Sequence, residues 1–457
     1  MLREVSFLKQ QKRLWIYSII IGVGLFTFFV YRYAGSRLWG LTYPWNSFLF
    51  EPGDRFMDFF NVNEMVAGFD PYSNGSSYPP LALMIAYIFA RIIPHTGEGE
   101  PFSLRDSSLP GRISLFALYG GCLLIIFIAL WRRMLQIFRK DDAAVPKADR
   151  PAGFRKFLQK FSRLILIGAS ALAIALSAPM IYAFDRGNYL IICVLFISLF
   201  CLYYGKNDYA AAVFLAIAAC LKIYPLALFF VFLRERKWKP LMLGLGTGAL
   251  FTAVSAAAFK GGMVTNLMTF ARNVMTFGGQ GGNSAGANRY SVGLRNIIST
   301  TSIALRGYVS DYLHIAKLSL LLGGILLAFI IFLCIWDRRP YRQILYLSFF
   351  MILFPSPAYF YNLAYLIGPI LLFLIKEQAE SLDWVYLIGL AFIMIPKSYY
   401  YFLAHFSEGD GWVGLDCLLN PLIMCILLAV AFFELLHLRK TRSGGLEPGD
   451  KKDLVGI

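Results

Sequence analysis

Charge is scarce in this chain, and that scarcity excludes an ordinary soluble domain. Only 15% of its 457 residues are charged, whereas 58% are hydrophobic and the mean hydropathy is +0.60. Repeated apolar runs of about 20 residues are long enough to cross the ~30 Å hydrocarbon core of a bilayer as helices. The sequence therefore predicts an all-α, polytopic integral membrane protein.

Metal-ligating and nucleotide-binding patterns are also missing from the sequence. The seven cysteines include no Cys-x-x-Cys pair and the four histidines are scattered, so the spacing of a metal site is not present. There is no P-loop and no His-Glu-x-x-His, which leaves P-loop nucleotide hydrolysis and zinc-protease chemistry without support. We expect no metal and no cofactor.

The net charge of +16 comes from basic residues in short loops between apolar runs. Such residues set the orientation of a membrane protein, so no nucleic-acid partner is expected. The loop 132–163 holds ten Lys or Arg against three Asp, which places it in the cytoplasm. Basic clusters at 234–239, 337–342 and 439–442 are predicted to lie on the same side.

The apolar runs predict about twelve crossings in a single transmembrane domain, residues 1–442, with both termini in the cytoplasm. The predicted spans are 15–34, 111–131, 162–182, 189–205, 209–222, 224–233, 241–259, 314–336, 342–355, 358–375, 384–403 and 416–437. The segment 79–95 is apolar but short and contains Arg91, and the orientation rule makes it a re-entrant or surface helix. The tail 443–457 is predicted to be disordered and cytoplasmic.

Two large outer loops of opposite charge follow from this topology. The first, 35–110, carries eight acids and four arginines. The second, 260–313, carries five bases and one acid. In the first loop Asp54 and Asp58 are four residues apart, so they share one face of any helix that forms there.

This arrangement predicts a membrane enzyme. A loop carboxylate can deprotonate an incoming hydroxyl, while cations stabilise the charge that builds on a departing phosphate. The glycine-rich run before Arg289 suits an anionic phosphate, and lipid headgroups are the alternative partner. Arg186, Lys222 and Lys397 lie at outer membrane edges, where a charge is costly unless it is used. The alternatives are a turn ion pair with Asp185 for Arg186, and snorkelling for the two lysines.

Several short motifs resemble those of the GT-C glycosyltransferases, and they occur in the same order. The first outer loop carries Asp54-(x13)-Gly68-Phe-Asp-Pro-Tyr72 followed by Tyr78-Pro-Pro-Leu81. The later motifs are Pro179-Met-(x5)-Arg186-Gly-Asn188, Lys222-Ile-Tyr-Pro225, Asn288-Arg-Tyr-Ser-Val-Gly293 and Phe354-Pro-Ser-Pro357. Over roughly residues 15–375 the chain resembles glycosyltransferase family 87, the polyprenol-phosphate-mannose-dependent α-mannosyltransferases, and more distantly the GPI mannosyltransferase I family.

The resemblance implies an inverting transfer of a hexose, often mannose, from a polyprenyl-phosphate sugar to a lipid or glycan acceptor. The reaction is expected at the extracytoplasmic face of the cell membrane, with one loop Asp as general base and commonly no metal. Ungapped spacing assigns the base to Asp54, and Asp58, one helical turn on, is the second candidate. The candidate contacts for the donor phosphate are Arg186, Asn188, Lys222, Tyr224, Asn288, Arg289 and His314.

One stretch departs from the pattern of the family. Relatives often carry histidines after the late Ser-Pro motif, where this chain has Ala358-Tyr-Phe-Tyr-Asn362. His314 is a candidate substitute, and a structural histidine at the membrane interface is the alternative. Two other classes share the polytopic form: a lipid-linked glycan flippase or transporter, and an O-antigen ligase or polymerase.

Overall fold

The computed structural model describes residues 2–47, 55–93, 108–144, 153–278, 289–309, 312–376, 380, 382–406 and 409–443. These ranges are mostly helical, which confirms the predicted all-α class. The α-helices are Leu2–Arg37, Met57–Ala67, Pro80–Ala90, Leu109–Ala144, Gly153–Ala175, Ala178–Arg186, Leu190–Tyr203, Asp208–Leu221, Phe230–Arg234, Trp238–Ala258, Gly262–Thr276, Leu294–Arg306, Tyr312–Trp336, Pro340–Leu353, Ile367–Ile375, Asp383–Met394 and Asp416–Ser443. Two 3-10 helices, Tyr224–Phe229 and Phe360–Leu366, and an antiparallel hairpin of Tyr401–Phe406 with Gly409–Gly414 are also present.

Within the described residues, six helical segments are long and apolar enough to cross a bilayer. They are Gln11–Arg37, Leu109–Lys140, Phe157–Ala175, Trp238–Ala258, Leu313–Trp336 and Asp416–Leu438. Six shorter apolar helices of 10–17 residues accompany them, so the count of twelve crossings stays a prediction. The short helix Leu190–Tyr203 is apolar on every face because it lies in the core, packed against Leu109–Ala144, Asp208–Leu221 and Ile367–Ile375.

The basic loop 132–163 is largely helical where the structure describes it. Helix Leu109–Ala144 continues beyond the apolar run, and Gly153–Ala175 begins well before the next one. The two extensions contact each other, since both guanidinium Nη atoms of Arg163 lie 2.8 Å from the carboxylate oxygens of Asp142. Lys and Arg are good helix formers, so a basic composition does not require an irregular loop.

The span predicted at 384–403 is too long. The helix there is Asp383–Met394, and Tyr401–Phe406 forms the first strand of the hairpin. The physical reason is Pro396, which cannot donate a backbone hydrogen bond and disfavours a helical conformation in the residue before it. The apolar, aromatic sequence beyond the proline therefore forms an extended structure outside the helix.

The ambiguous segment 79–95 contains the helix Pro80–Ala90, which has 11 residues. At 1.5 Å per residue it is about 16 Å long, too short to cross the hydrocarbon core. It packs against helices Met57–Ala67, Asp208–Leu221 and Trp238–Ala258. Its placement as a re-entrant or surface helix stays a prediction.

Buried ion pairs join the start of helix Pro340–Leu353 to Glu380 and to helix Asp416–Ser443. Arg342 is fully buried, and its two Nη atoms lie 2.7 Å from Glu434 Oε2 and from Glu380 Oε2. Arg339 contacts the same two carboxylates at 2.9 and 2.6 Å. Burial opposes ionisation of Glu380, but a hydrogen bond from Tyr341 and the charge of Arg342 lower its pKa to about 2. Glu380 therefore stays ionised at neutral pH.

Candidate functional site

Asp58 lies in the first turn of helix Met57–Ala67, half-buried and with both carboxylate oxygens engaged. Arg186 Nη2 lies 2.5 Å from Asp58 Oδ1, and Asn188 Nδ2 donates to Oδ2 at 2.7 Å. The guanidinium supplies the opposite charge, and the two contacts together fix the position of the carboxylate. The first outer loop and the Arg-Gly-Asn motif therefore meet at one charged centre.

Gly187 explains why the Arg-Gly-Asn motif has a glycine in its middle. It ends helix Ala178–Arg186 in the left-handed conformation, with φ of 66°. A Cβ placed there would lie 2.8 Å from Phe59 Cβ and 3.2 Å from Phe56 Cα. The backbone of Phe56 also donates to Asp185 O at 2.7 Å. Only glycine combines this backbone conformation with so close an approach.

Asn188 and Tyr78 connect Asp58 to the next part of the site. The Asn188 side chain is fully buried, accepts a hydrogen bond from Leu190 N at 2.9 Å, and lies 3.4 Å from the Tyr78 hydroxyl. Burial, reinforced by the negative charge of Asp58, raises the pKa of Tyr78. Tyr78 is therefore a neutral hydrogen-bonding group at neutral pH.

Lys222 lies over the face of the Tyr78 ring. It follows directly after helix Asp208–Leu221, and its Nζ lies 4.0 Å from the centroid of that ring. Among the described residues the ammonium makes no hydrogen bond and no ion pair, although the charge of Asp58 acts on it. A cation held over an aromatic face and lacking an anionic partner is suited to bind an anionic ligand.

A cavity of about 890 Å³ begins at these residues. Its polar end includes Tyr78, Lys222, Ser356, Tyr359 and Asn362. Most of its wall is apolar, with side chains that include Leu226, Leu241, Leu245, Leu327, Ile331, Leu347 and Phe350. Leu226, Leu245 and Leu327 are also exposed, which predicts a lateral opening of the cavity toward the lipid.

The second outer loop docks onto the late Ser-Pro motif beside this cavity. Val292 N donates to Ala358 O at 2.7 Å. A Cβ on Gly293 would lie 2.9 Å from Pro355 O, so this close approach requires glycine. Arg295, buried in helix Leu294–Arg306, places Nη1 3.4 Å from the hydroxyl of Ser356.

Arg295 was not among the sequence-predicted site residues. In the sequence it is one of five basic residues of the second outer loop. The sequence feature that could have identified Arg295 is its position two residues after the Ser-Val-Gly stretch, at the start of a helix. A buried arginine at this position needs an anion or a polar partner.

Of the remaining predicted contacts, Tyr224 belongs to this cavity, whereas Arg289 and His314 lie away from it. Arg289 packs on the hairpin, donating to Asp410 O at 3.1 Å, with its guanidinium against Gly411. His314 is exposed in the first turn of helix Tyr312–Trp336. Tyr224 lines the cavity together with Lys222. Asp54 and Asn288 lie outside the described residues.

Lys397 does not reach the membrane surface by snorkelling. Its side chain is only 3% exposed, and Nζ donates to Phe392 O at 2.6 Å and to Ile395 O at 2.8 Å. These carbonyls are at the end of helix Asp383–Met394, so the lysine caps that helix.

Metal ligands do not assemble in the part of the chain that the structure describes. No group of three or more His, Cys, Asp or Glu side chains there could hold an ion. The seven cysteines are free, and six of them are buried.

The comparisons with known proteins agree with the resemblance in the motifs. Residues 77–357 match the family model of glycosyltransferase family 87, which is more than half of the chain. No curated protein and no solved structure matches the chain. The protein is thus a membrane glycosyltransferase. It belongs to glycosyltransferase family 87, and the resemblance predicted from its motifs is confirmed.

Proposed function

We propose that the protein transfers a hexose, with mannose the first candidate, from a polyprenyl-phosphate sugar to a lipid or glycan acceptor. The observation that carries this proposal is the cavity of about 890 Å³, whose long wall is apolar and whose polar end reaches Lys222 and Tyr78. A donor with an isoprenoid tail and a charged head needs both surfaces in this order. The lateral opening lets the tail enter from the bilayer.

The donor phosphate is proposed to bind at Lys222. Its ammonium has no anionic partner hydrogen-bonded to it within the described ranges, and it lies over the ring of Tyr78 at the polar end of the cavity. Arg295, through Ser356, is the second cation near the same end of the cavity. Positive charge at this point stabilises the phosphate that leaves during transfer.

Asp58 is proposed as the general base. An acceptor hydroxyl gives its proton to the carboxylate as its oxygen attacks the anomeric carbon, and the bonding pair leaves with the polyprenyl phosphate. This single displacement inverts the anomeric configuration. Arg186 and Asn188 hold the carboxylate in a fixed orientation. Asp54, in the same loop, is the alternative base.

We propose that no resident metal or cofactor takes part, because Lys222, Arg186 and Arg295 supply the positive charge that a metal would bring to a phosphate. The corresponding test is a chelator. Activity of the purified protein should be the same with and without excess EDTA, and a loss that only a divalent cation restores would contradict this part of the proposal.

An extracytoplasmic position for the site is supported by two helices. Helix Asp208–Leu221 has Lys222 at one end, and at the other end Asp208 pairs with Lys237 of the basic cluster at 2.7 Å. Helix Leu109–Ala144 begins with Gly111 against Phe60 of the first loop, and its far end carries the basic residues. Basic clusters favour the cytoplasm, so the opposite end is proposed to face outward.

The proposal is tested with purified protein in lipid, incubated with polyprenyl-phosphate sugars labelled in the sugar and with membrane-lipid acceptors. Label should move from the donor to an acceptor, and the Asp58→Asn variant should fail to move it. If folded wild-type protein transfers no label from any polyprenyl-phosphate sugar, the proposed donor class is wrong.

A further inference from the structure

Two neutral side chains at the polar end of the cavity lack a partner. Asn362 is 5% exposed and Tyr361 is 9% exposed, and both line the cavity. Across the ranges that the structure describes, neither the carboxamide of Asn362 nor the hydroxyl of Tyr361 makes a hydrogen bond to protein. Their polar atoms are not fully enclosed by protein, so they face the cavity and are open to a ligand there.

Both groups are held in place by their surroundings. They lie in the 3-10 helix Phe360–Leu366, where Asn362 N donates to Tyr359 O at 2.8 Å. The ring centroid of Tyr361 lies 5.6 Å from that of Tyr359 and 6.0 Å from that of Tyr182. A rigid support of this kind presents the polar atoms to a ligand without further ordering cost.

The two residues are close to both charged parts of the site. Lys222 lines the same end of the cavity, and the charge of Asp58 acts on Tyr361. In the proposed donor, the sugar is the part between the phosphate on Lys222 and the base Asp58. Neutral amide and phenol groups each donate and accept hydrogen bonds, as sugar hydroxyls require, whereas the phosphate is matched by the cations.

We propose that Asn362 and Tyr361 form a subsite that recognises the hydroxyl groups of the donor hexose. This inference rests on the proposed function. It also gives a physical role to the stretch Ala358-Tyr-Phe-Tyr-Asn362, which departs from the histidines of related sequences. Here the donor head meets neutral hydrogen-bonding groups in place of imidazoles.

The expected discrimination follows from the chemistry of unpaired groups. A site built to hydrogen-bond a substrate hydroxyl rejects an analogue that lacks it, because its buried polar groups then stay unpaired. Each lost hydrogen bond should reduce the preference for the sugar-bearing lipid by about tenfold. Bare polyprenyl phosphate, which has no sugar, should bind equally well to wild-type protein and to variants of this subsite.

The test measures binding of two probes, polyprenyl phosphate and polyprenyl-phosphate mannose, to the full-length protein in lipid nanodiscs. Wild-type protein should prefer the sugar-bearing lipid, whereas Asn362→Ala and Tyr361→Phe should each lower that preference by about tenfold. Affinity for bare polyprenyl phosphate should not change in either variant. Unchanged preference in both variants, or an equal loss of affinity for both lipids, would overturn the subsite.

Two control variants make the result specific. Tyr365→Phe removes another buried hydroxyl without a partner in the same 3-10 helix, but Tyr365 does not line the cavity, so the preference should stay at the wild-type value. Lys222→Ala should weaken binding of both lipids together. A changed preference in Tyr365→Phe would show that the readout reports packing of the helix, and would also overturn the subsite.

Failure of the subsite can be told from failure of the proposed function. If wild-type protein transfers mannose and Asn362→Ala and Tyr361→Phe both retain full kcat/KM, the subsite is wrong and the function stands. If wild-type protein transfers nothing but discriminates between the two lipids through Asn362, the subsite stands and the function is wrong. If it binds neither lipid, both are wrong.

Discussion

Replacing Asp58 by Asn changes the charge of the proposed base and little else. The amide has the shape of the carboxylate and can still accept a hydrogen bond from Arg186, which lies 2.5 Å from Asp58 Oδ1. What is lost is the capacity to take a proton and the charge that pairs with the guanidinium. Both side chains of the pair are 15% exposed, so solvent screens the loss only in part.

The size of the effect differs between activity and stability. General base catalysis contributes about 10²–10⁴-fold to a rate, so kcat of Asp58→Asn should fall by that factor while KM for the donor changes little. A hydrogen bond to a charged group contributes about 1.5–3 kcal/mol. The free energy of unfolding should therefore fall by an amount of that order, and the variant should still fold.

The assay is transfer of labelled sugar by wild-type protein, Asp58→Asn, Asp54→Asn and Asp70→Asn, each checked by thermal melting. Asp70 is the matched control, because it is a half-buried carboxylate of the same loop that makes no contact with Arg186 or Asn188. We expect Asp70→Asn to stay within about threefold of the wild-type kcat, a change worth less than one kcal/mol. If Asp58→Asn keeps more than about a tenth of wild-type kcat and Asp54→Asn does not, Asp54 is the base and the reasoning on Asp58 is refuted.

Three further predictions test other parts of the structure. Lys222→Met should raise KM for the donor at least about tenfold, because the variant loses a charged contact to the phosphate. An unchanged KM would show that Lys222 does not bind the phosphate. Gly187→Ala should lower both the melting temperature and kcat, because a Cβ would meet Phe59 Cβ at 2.8 Å and φ is 66°; wild-type values would contradict that. The pKa of Glu380 is about 2 in the folded protein, below its value of about 4.3 in the unfolded chain. The ionised carboxylate therefore stabilises the folded protein above about pH 4.3, and this stabilisation is lost as the pH falls toward 2. Detergent-solubilised Glu380→Gln should therefore show a smaller loss of melting temperature across this acid window, and equal losses would contradict the assignment.

The membrane helices and the motif residues were accessible from sequence because their signals are local. Apolar length predicts a span, and a run such as Leu190–Tyr203 that is apolar on every face predicts burial. The Arg-Gly-Asn and Lys-Ile-Tyr-Pro motifs are visible in the sequence, and the structure brings Arg186, Asn188 and Lys222 to one end of the bundle with Asp58.

Contacts across long sequence separations were not accessible in the same way. The glycine-rich run before Arg289 predicts a phosphate contact for this arginine. In the structure the guanidinium of Arg289 packs on Gly411, more than 100 residues later in the chain. Nothing near Arg289 in the sequence indicates that partner. The hairpin itself was missed because its aromatic residues continue an apolar run, although Pro396 marks the end of the helix.

Asn362 could not be predicted as a site residue from the sequence, for a different reason. In the sequence it is one polar residue in an aromatic stretch, and a core asparagine with ordinary partners is the simplest interpretation. Only the cavity and the lack of a hydrogen bond to its carboxamide among the described residues distinguish it. Whether a buried polar group has a hydrogen-bond partner depends on all of its three-dimensional surroundings, and a local sequence pattern does not encode these.

The central claim is tested most directly by the products of one turnover of purified wild-type protein with a polyprenyl-phosphate sugar labelled at the anomeric carbon. The account predicts one equivalent of free polyprenyl phosphate and a glycoside whose anomeric configuration is inverted relative to the donor. Retention of configuration, or transfer that proceeds from a nucleotide sugar and not from the lipid-linked donor, would contradict it.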